Sequence, residues 1–308
     1  MSKSFSITIL GSSSALPTSE RYPTAQVLNA SERFFLIDCG EGTQKQLRVH
    51  KIRFTKIEHV FISHLHGDHC FGLIGLISSL GLLGRKAALH IHSHPDLEKI
   101  LQPQLDFFCK ELPFEVKFEP FNPKESTVIY SDKNLEVETI PLRHRVPTVG
   151  FLFKEKPEDR KVKKEFVFIH QPSIREILDI KKGADYHTKD GIRIPNAQIT
   201  NNPPPIRSYA FCTDTKYTEG IVDQIKNVDV LYHEATFSKD MAALAKKTYH
   251  STAEQAATIA RKAEVGELLI GHFSSRYKDL NVLLNEAKTV FSNTSLAEEG
   301  RVFNILLK

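Results

Sequence analysis

A chain of 308 residues can bury a core of its own without staples, as one large domain or two small ones. Its 41% hydrophobic and 25% charged content is that of a globular protein, and no apolar run approaches the roughly 18 residues that a membrane span needs. A net charge of +4 admits an anionic partner without naming one, and Cys39, Cys70, Cys109 and Cys212, with no Cys-x-x-Cys pair, argue against a disulfide framework or a thiolate zinc site.

Taken in chain order, the opening MSKSFSITILGSSS has one lysine and a short apolar run, so it reads as a first strand rather than a signal peptide, and a cytoplasmic location is expected. TAQVLNA and RFFLID follow as strands, then HVFIS and a helix over CFGLIGLISSLGLLG. ALHIH is a strand and DLEKILQPQLDFFCKEL a helix. FEVKFE, TVIYS and LEVETI are strands, the last two joined by the turn Ser131-Asp132-Lys133-Asn134. From 152 to 207 the rhythm breaks. The segment opens on a run with six basic and three acidic residues between Lys154 and Lys164 and closes on NNPPPIRS, which predicts an inserted excursion within a single domain spanning 1–308. After it come SYAFCTD (strand), YTEGIVDQIKN (helix), VDVLYHEATF (strand), STAEQAATIARKAEV (helix), ELLIGHF (strand), VLLNEAKTVF (helix) and the strand RVFNILLK. The pattern is α/β, with polar clusters at the C-terminal ends of strands, where such sheets place their sites.

The sharpest cluster is HLHGDHCFG at 64–72, directly after the apolar EHVFIS. Three imidazoles and a carboxylate within six residues are costly to bury without partners. His64 and His66, two apart, can point the same way along an extended segment, while Asp68 and His69 turn toward a neighbouring position after Gly67. That suits two adjacent ions, which need more ligands than one motif holds. His144 after LEVETIPL, Asp214 ending SYAFCTD and His272 ending ELLIGHF are candidates to complete the set, although each alone could be a hydrogen-bonded polar residue at a strand end. His250 opens a helix and could equally be a capping histidine. His90, His92 and His94 alternate in HIHSHP but lack a carboxylate, and are expected to be exposed strand-end histidines.

The order DCGEGTQKQL (38–47), HLHGDHCFG (64–72), PLRHRVPTVGF (141–151), CTDT (212–215), LYHEATF (231–237), HSTAEQA (250–256) and GHFSSRY (271–277) resembles ribonuclease Z, the transfer-RNA 3′-processing endonuclease of the metallo-β-lactamase fold superfamily. The resemblance covers nearly the whole chain. It implies an αββα sandwich with an inserted arm, and two zinc ions per subunit, with manganese or iron as alternative occupants. His64, His66 and His144 would hold one ion and Asp68, His69 and His272 the other, with Asp214 bridging. Imidazole and carboxylate suit zinc, and a two-ion site polarises a phosphate while activating a water. The resemblance further implies that Asp68 orients that water and that His250, held by Glu234, donates the proton to the leaving oxygen. The expected partners are precursor tRNA and a second subunit, without a membrane.

Where the family carries a P-x-K-x-R-N-like stretch, this chain has Pro17-Thr18-Ser19-Glu20-Arg21-Tyr22, keeping the arginine, and its excursion has no Gly-Pro. Lys161, Lys163 and Lys164 in the excursion, with Arg21, are the candidate RNA contacts. Another hydrolase of the same fold, acting on a small phosphodiester or a thioester, is the first alternative; a non-catalytic RNA-binding zinc protein is the second.

Overall fold

The computed structural model describes residues 4–306. They form two compact units, one of the residues up to Ser131 with Leu135–Lys154 and Arg207–Leu306, the other of Asp132–Asn134 and Glu155–Ile206. In chain order the elements begin with β1 (Phe5–Gly11), β2 (Ala25–Ala30), β3 (Arg33–Ile37), α1 (Thr43–Val49) and β4 (Ile57–Phe61). Next come α2 (Gly67–Cys70), α3 (Gly72–Leu82), β5 (Leu89–Ser93), α4 (Asp96–Phe108) and β6 (Val116–Pro120), then β7 (Val128–Ser131), β8 (Leu135–Pro141) and β9 (Val149–Glu155).

The inserted segment contributes β10 (Lys161–Val162), α5 (Lys164–His170), α6 (Ile174–Lys181), β11 (Tyr186–His187), β12 (Arg193–Ile194), α7 (Asn196–Ile199) and β13 (Thr200–Asn201). It has its own small core of Phe166, Ile180, Tyr186 and Ile199. α6 is started by a capping box between Ser173 and Glu176, which satisfies donors the first turn leaves open.

The chain closes with β14 (Ser208–Cys212), β15 (Val230–Glu234), α8 (Ala242–Thr248), α9 (Ala253–Lys262), β16 (Glu267–Gly271), α10 (Asn281–Val290), β17 (Thr294–Leu296) and β18 (Val302–Asn304).

Two seven-stranded sheets result, ordered β18-β1-β2-β3-β4-β5-β6 and β17-β16-β15-β14-β9-β8-β7. Central strands read as continuous apolar runs because each sheet buries both faces. Phe35 and Ile37, Phe151 and Phe153, and Tyr209 and Phe211 enter the core shared by the two sheets. The residues between them face the helices: Leu36 joins the layer of α3 and α4, and Leu152 and Ala210 join the layer of α9 and α10. With period two, one strand feeds two cores, and the layers read helix, sheet, sheet, helix. On α9 the buried side chains are Ala253, Ala256, Ala257, Ile259 and Ala260, so mostly small residues set this helix close on its sheet.

Some expectations change. The helix expected over 70–84 is broken at Phe71 into α2 and α3. YTEGIVDQIKN makes only a 3-10 turn at Glu219–Ile221. Its Ile221 and Ile225 are buried as the helical spacing suggested, but Gly220 lowers helix propensity in that first turn. β9, α1, α8 and β17 were not anticipated, and Leu152 and Phe153, inside the expected excursion, are core residues of β9. The closing strand ends at Asn304, and 307–308 of its expected range lie outside the described residues. No helix among the described residues is long and apolar enough to cross a membrane.

Candidate metal centre and acid pair

β14, β15 and β16 run parallel in register, with Cys212 opposite His233 and Glu234 opposite Gly271. The chain therefore leaves all three strands at one edge, carrying Asp214, Glu234 and His272. The loop after β4 brings His64 and His66, α2 brings Asp68 and His69, and the β8–β9 loop brings His144. The turn after β3 seats against α2 and α3 through Cys39 N–H to His69 O (2.8 Å) and Gly72 N–H to Cys39 O (2.9 Å). A Cβ at Gly72 would lie 2.1 Å from Gly40 O, so only glycine permits this approach.

The seven expected ligands come together. His64, His66, His144 and Asp214 each offer an atom within 4.8 Å of the others', and so do Asp68, His69 and His272. Asp214 stands between the sets. Its Oδ2 is 3.6 Å from His64 Nε2 and 3.5 Å from His144 Nε2, and its Oδ1 is 3.3 Å from His69 Nε2 and 3.1 Å from His272 Nε2.

Hydrogen bonds on the far side of each ring assign the tautomers. His144 Nδ1 lies 3.0 Å from Tyr249 O, which can only accept, and His69 Nδ1 lies 2.7 Å from the Asp38 carboxylate. Thr236 Oγ1 donates to Glu234 Oε2 at 2.6 Å, so at 2.9 Å it accepts from His272 Nδ1. Ser63 Oγ donates to Asp38 Oδ2 at 2.9 Å, so at 3.1 Å it accepts from His64 Nδ1. Four rings thus carry their proton on Nδ1 and turn a bare Nε2 lone pair to one place, while His66 presents Nδ1, 3.0 Å from His64 Nε2 and 3.3 Å from His144 Nε2. Nε2 of His69 and of His272 is buried without a hydrogen-bond partner. Convergent lone pairs need a cation between them, and nitrogen and oxygen donors oriented from outside fit a pair of metal ions.

Beside this nest, Glu234 is fully buried with both oxygens engaged. Oε1 accepts from His250 Nδ1 (2.8 Å) and Thr215 N (2.7 Å), and Oε2 accepts from Thr236 Oγ1 and Ser251 N. Burial pulls the His250 imidazole down, but the charge and hydrogen bond of Glu234, with Asp214 and Asp68 beyond, more than reverse this and raise it to about 9. Burial likewise opposes the charge on Glu234, and the His250 cation restores it, so that carboxyl lies below its usual range. The pair is a protonated imidazole held in one rotamer, on the wall of a cavity of about 570 Å³ that also exposes His66, Asp68, His144, Asp214 and His272.

The remaining candidates fall elsewhere. Arg21 Nη2 donates to Tyr277 O at 3.0 Å. In the inserted unit Lys161 and Lys164 are exposed, whereas Lys163 Nζ is bound to Gln198 O at 2.7 Å. The HIHSHP histidines are not the exposed set expected. His92 is buried and stacks on Phe61 with ring centroids 4.5 Å apart, His90 bonds Glu119, and His94 accepts from Asp96 N. Burial is the reason: β5 is an interior strand, and His92 faces the sheet-to-sheet core. Asp38, Ser63 and Thr236, which orient the ligands, were not anticipated. Their signal was position, polar residues at or just beyond strand ends beside a ligand. Arg276, in the quoted GHFSSRY, was also passed over. It stacks over Phe237 at 5.4 Å and donates to Ser274 Oγ, and both of those residues line the cavity.

The chain is 52% identical to a ribonuclease Z of Phocaeicola vulgatus over 295 residues, 96% of each chain. It is also 52% identical to a ribonuclease Z of Bacteroides thetaiotaomicron over 301 residues, 98% of this chain and 95% of that one. Its structure is similar to the crystal structure of the short form of human tRNase Z, with TM-score 0.71 and 25% identity over 98% of this chain and 100% of the other. The model of a family described as anti-Pycsar protein Apyc1 matches residues 5–167. That match ends before Asp214, Glu234, His250 and His272, which the two bacterial relatives span.

Proposed function

The chain belongs to the ribonuclease Z family, and from this we propose how its residues remove the 3′ trailer from precursor tRNA. It is an endoribonuclease of tRNA 3′ processing, hydrolysing one phosphodiester to leave a 3′ hydroxyl on the tRNA and a 5′ phosphate on the trailer. His64, His66 and His144 would hold one ion, Asp68, His69 and His272 the other, and Asp214 would lend an oxygen to each. Donors of this kind suit zinc, with manganese or iron as alternatives. When bound, the ions polarise the scissile phosphate and make a water nucleophilic near neutral pH.

The chain's own groups do the rest. Asp68, on the cavity wall with Oδ2 3.3 Å from His69 Nε2, orients the attacking water and takes its proton. As the new P–O bond forms, the P–O3′ bond breaks and His250 delivers its Nε2 proton to the departing oxygen. Glu234 keeps that imidazole charged and aimed. What supports this reading most is the pairing of four bare Nε2 lone pairs with a buried carboxylate–imidazole acid in one cavity.

The reading extends to a cytoplasmic homodimer in which residues 1–308 act as one metallo-β-lactamase-type domain carrying the 152–207 segment as its grip on tRNA. Arg21, Lys161 and Lys164 would contact phosphates, and Lys163 would support the segment's fold. Purified protein loaded with zinc and given precursor tRNA, with and without CCA, tests it. A single cut at the trailer junction with a 3′ hydroxyl on the tRNA is expected. Intact precursor beside hydrolysis of a small chromogenic phosphodiester would overturn it. Light scattering reads the subunit number, and metal analysis the two equivalents.

A further inference from the structure

Beside the metal-binding cavity lies a second one, of about 550 Å³, on the other side of the β8–β9 loop. The two share His144 and Arg145. Their charge is opposite in kind. The first is lined by the carboxylates of Glu41, Asp68 and Asp214. The second has Lys124, Arg143 and Arg145 and no carboxylate. Arg143, Arg145 and Lys124 are exposed, and neither arginine has an acidic partner among the described residues.

The loop that carries these arginines is pinned. Arg143 N–H donates to Thr215 Oγ1 at 3.1 Å, and Arg143 O accepts from Lys216 N at 2.9 Å. Leu142 N–H reaches Thr148 O at 3.0 Å, Thr148 Oγ1 reaches Val146 O at 2.9 Å, and His144 Nδ1 is fixed to Tyr249 O. One rigid run, Arg143-His144-Arg145, therefore offers a ligand to the first cavity, a cation to the second, and a cation to both. Free guanidinium groups on an ordered backbone, with no acid to neutralise them, are preorganised for phosphate.

We infer that this second cavity is a subsite for RNA backbone phosphates next to the scissile one, bound by Arg143, Arg145 and Lys124. The inference rests on the tRNA-processing reading and deepens it. A strand whose scissile phosphate lies over Asp214 has to continue out of the first cavity, and toward the second the shared lining is His144 and Arg145, with no carboxylate beyond to repel it. Phosphates of the trailer and phosphates of the acceptor end carry the same chemistry, and substrate length separates them.

The test is equilibrium binding, over a range of salt concentrations, of two precursor tRNAs that differ only in having a single-nucleotide or a long unstructured trailer. The proteins are wild type, R143Q/R145Q, the charge-restoring R143K/R145K, and K124Q, which is remote from the ligands in sequence. Metal content is measured on each. Roughly tenfold weaker binding is expected for R143Q/R145Q at low salt, with a log–log salt slope shallower by about 0.7 for each phosphate no longer neutralised. R143K/R145K should recover most of the slope, and K124Q should lose about half as much as R143Q/R145Q. A loss confined to the long-trailer precursor assigns the subsite to the trailer, and an equal loss with both assigns it to the acceptor end; either supports the inference. Unchanged affinity and slope for R143Q/R145Q and K124Q on both precursors would overturn it. Cleavage by wild type is read separately: a wild type that cuts while the variants bind normally removes the subsite alone, and one that binds with the predicted slope differences but does not cut removes the processing reading alone.

Discussion

His250 and Glu234 are one chemical unit, because neither charge is tolerable in that burial without the other. Glu234 meets five donors from His250, Thr215, Thr236 and Ser251, and its fixed position is what keeps Nδ1 of the imidazole protonated and Nε2 facing the cavity. His250→Ala is expected to lower kcat on precursor tRNA by about 10² to 10⁴, the usual worth of a general acid, with metal content at the wild-type level. Single-turnover kinetics with metal analysis on the same preparation checks this. Loss of metal in the variant would place His250 among the ligands, as its proximity to Asp214 and His272 allows.

At the scale of elements, the loop after β1 is held from the far end of the chain. Glu299, between β17 and β18, accepts from Ser12 N (3.1 Å), Tyr22 N (2.8 Å) and Gln46 Nε2 (3.0 Å). Between those anchors lie Ser14, Ala15 and Pro17, which line the metal-binding cavity. Glu299→Ala leaves these donors without their acceptor and is expected to cost about 1 to 3 kcal/mol, while Glu299→Gln, which keeps one carbonyl oxygen, should cost less. Denaturant titration of both variants decides it. β4 and β5 carry a second element-scale effect. His92 Nε2 lies 3.1 Å from His59 Nδ1, and burial lowers His92 to about 3 and His59 to about 4. The unfolded chain then binds more protons than the folded one below the ordinary histidine value of about 6.5, so this pair's stability is lost as pH falls from there toward their folded values. His92→Leu removes one such group. Its Tm relative to wild type should rise steadily as pH is lowered from about 7 to about 4; a constant offset would show that the ring takes up no proton on unfolding.

For the molecule as a whole, candidate ligands drawn from the loop after β4, α2, the β8–β9 loop and the segments just beyond β14 and β16 bring both sheets to one cluster. Removing the ions by chelation should abolish cleavage and also lower Tm, since ions that bind only the folded arrangement stabilise it by mass action. Re-adding zinc should restore both, and calorimetry reads the shift. The inserted unit is expected to act on binding. Lys161→Ala with Lys164→Ala should weaken binding of precursor tRNA and flatten its salt dependence by about 0.9 for each duplex phosphate left unneutralised. Lys163→Ala should instead lower the stability of the segment, because its ammonium serves Gln198 O.

All seven ligand candidates were legible in the sequence because metal chemistry restricts residue type, and because the H-x-H-x-D-H run and the polar strand ends are local features. RFFLID was legible as a strand for the same reason, since a short apolar run is written in the chain itself, whereas the division of Phe35 and Ile37 from Leu36 between two cores is seen only in the fold. What tertiary structure alone decided is what depends on residues distant in sequence. Asp38, Ser63, Thr236 and Tyr249 O select the tautomers of His69, His64, His272 and His144 from as far as 105 residues away, and no spacing rule reports such pairs. The same holds for HIHSHP, whose alternation is that of any strand, until packing against Phe61 and His59 makes His92 a core residue. It holds too for YTEGIVDQIKN, where Ile221 and Ile225 are buried by a turn that their spacing cannot distinguish from a helix. Residue type and local period travel with the chain; orientation and burial arise only when distant segments meet.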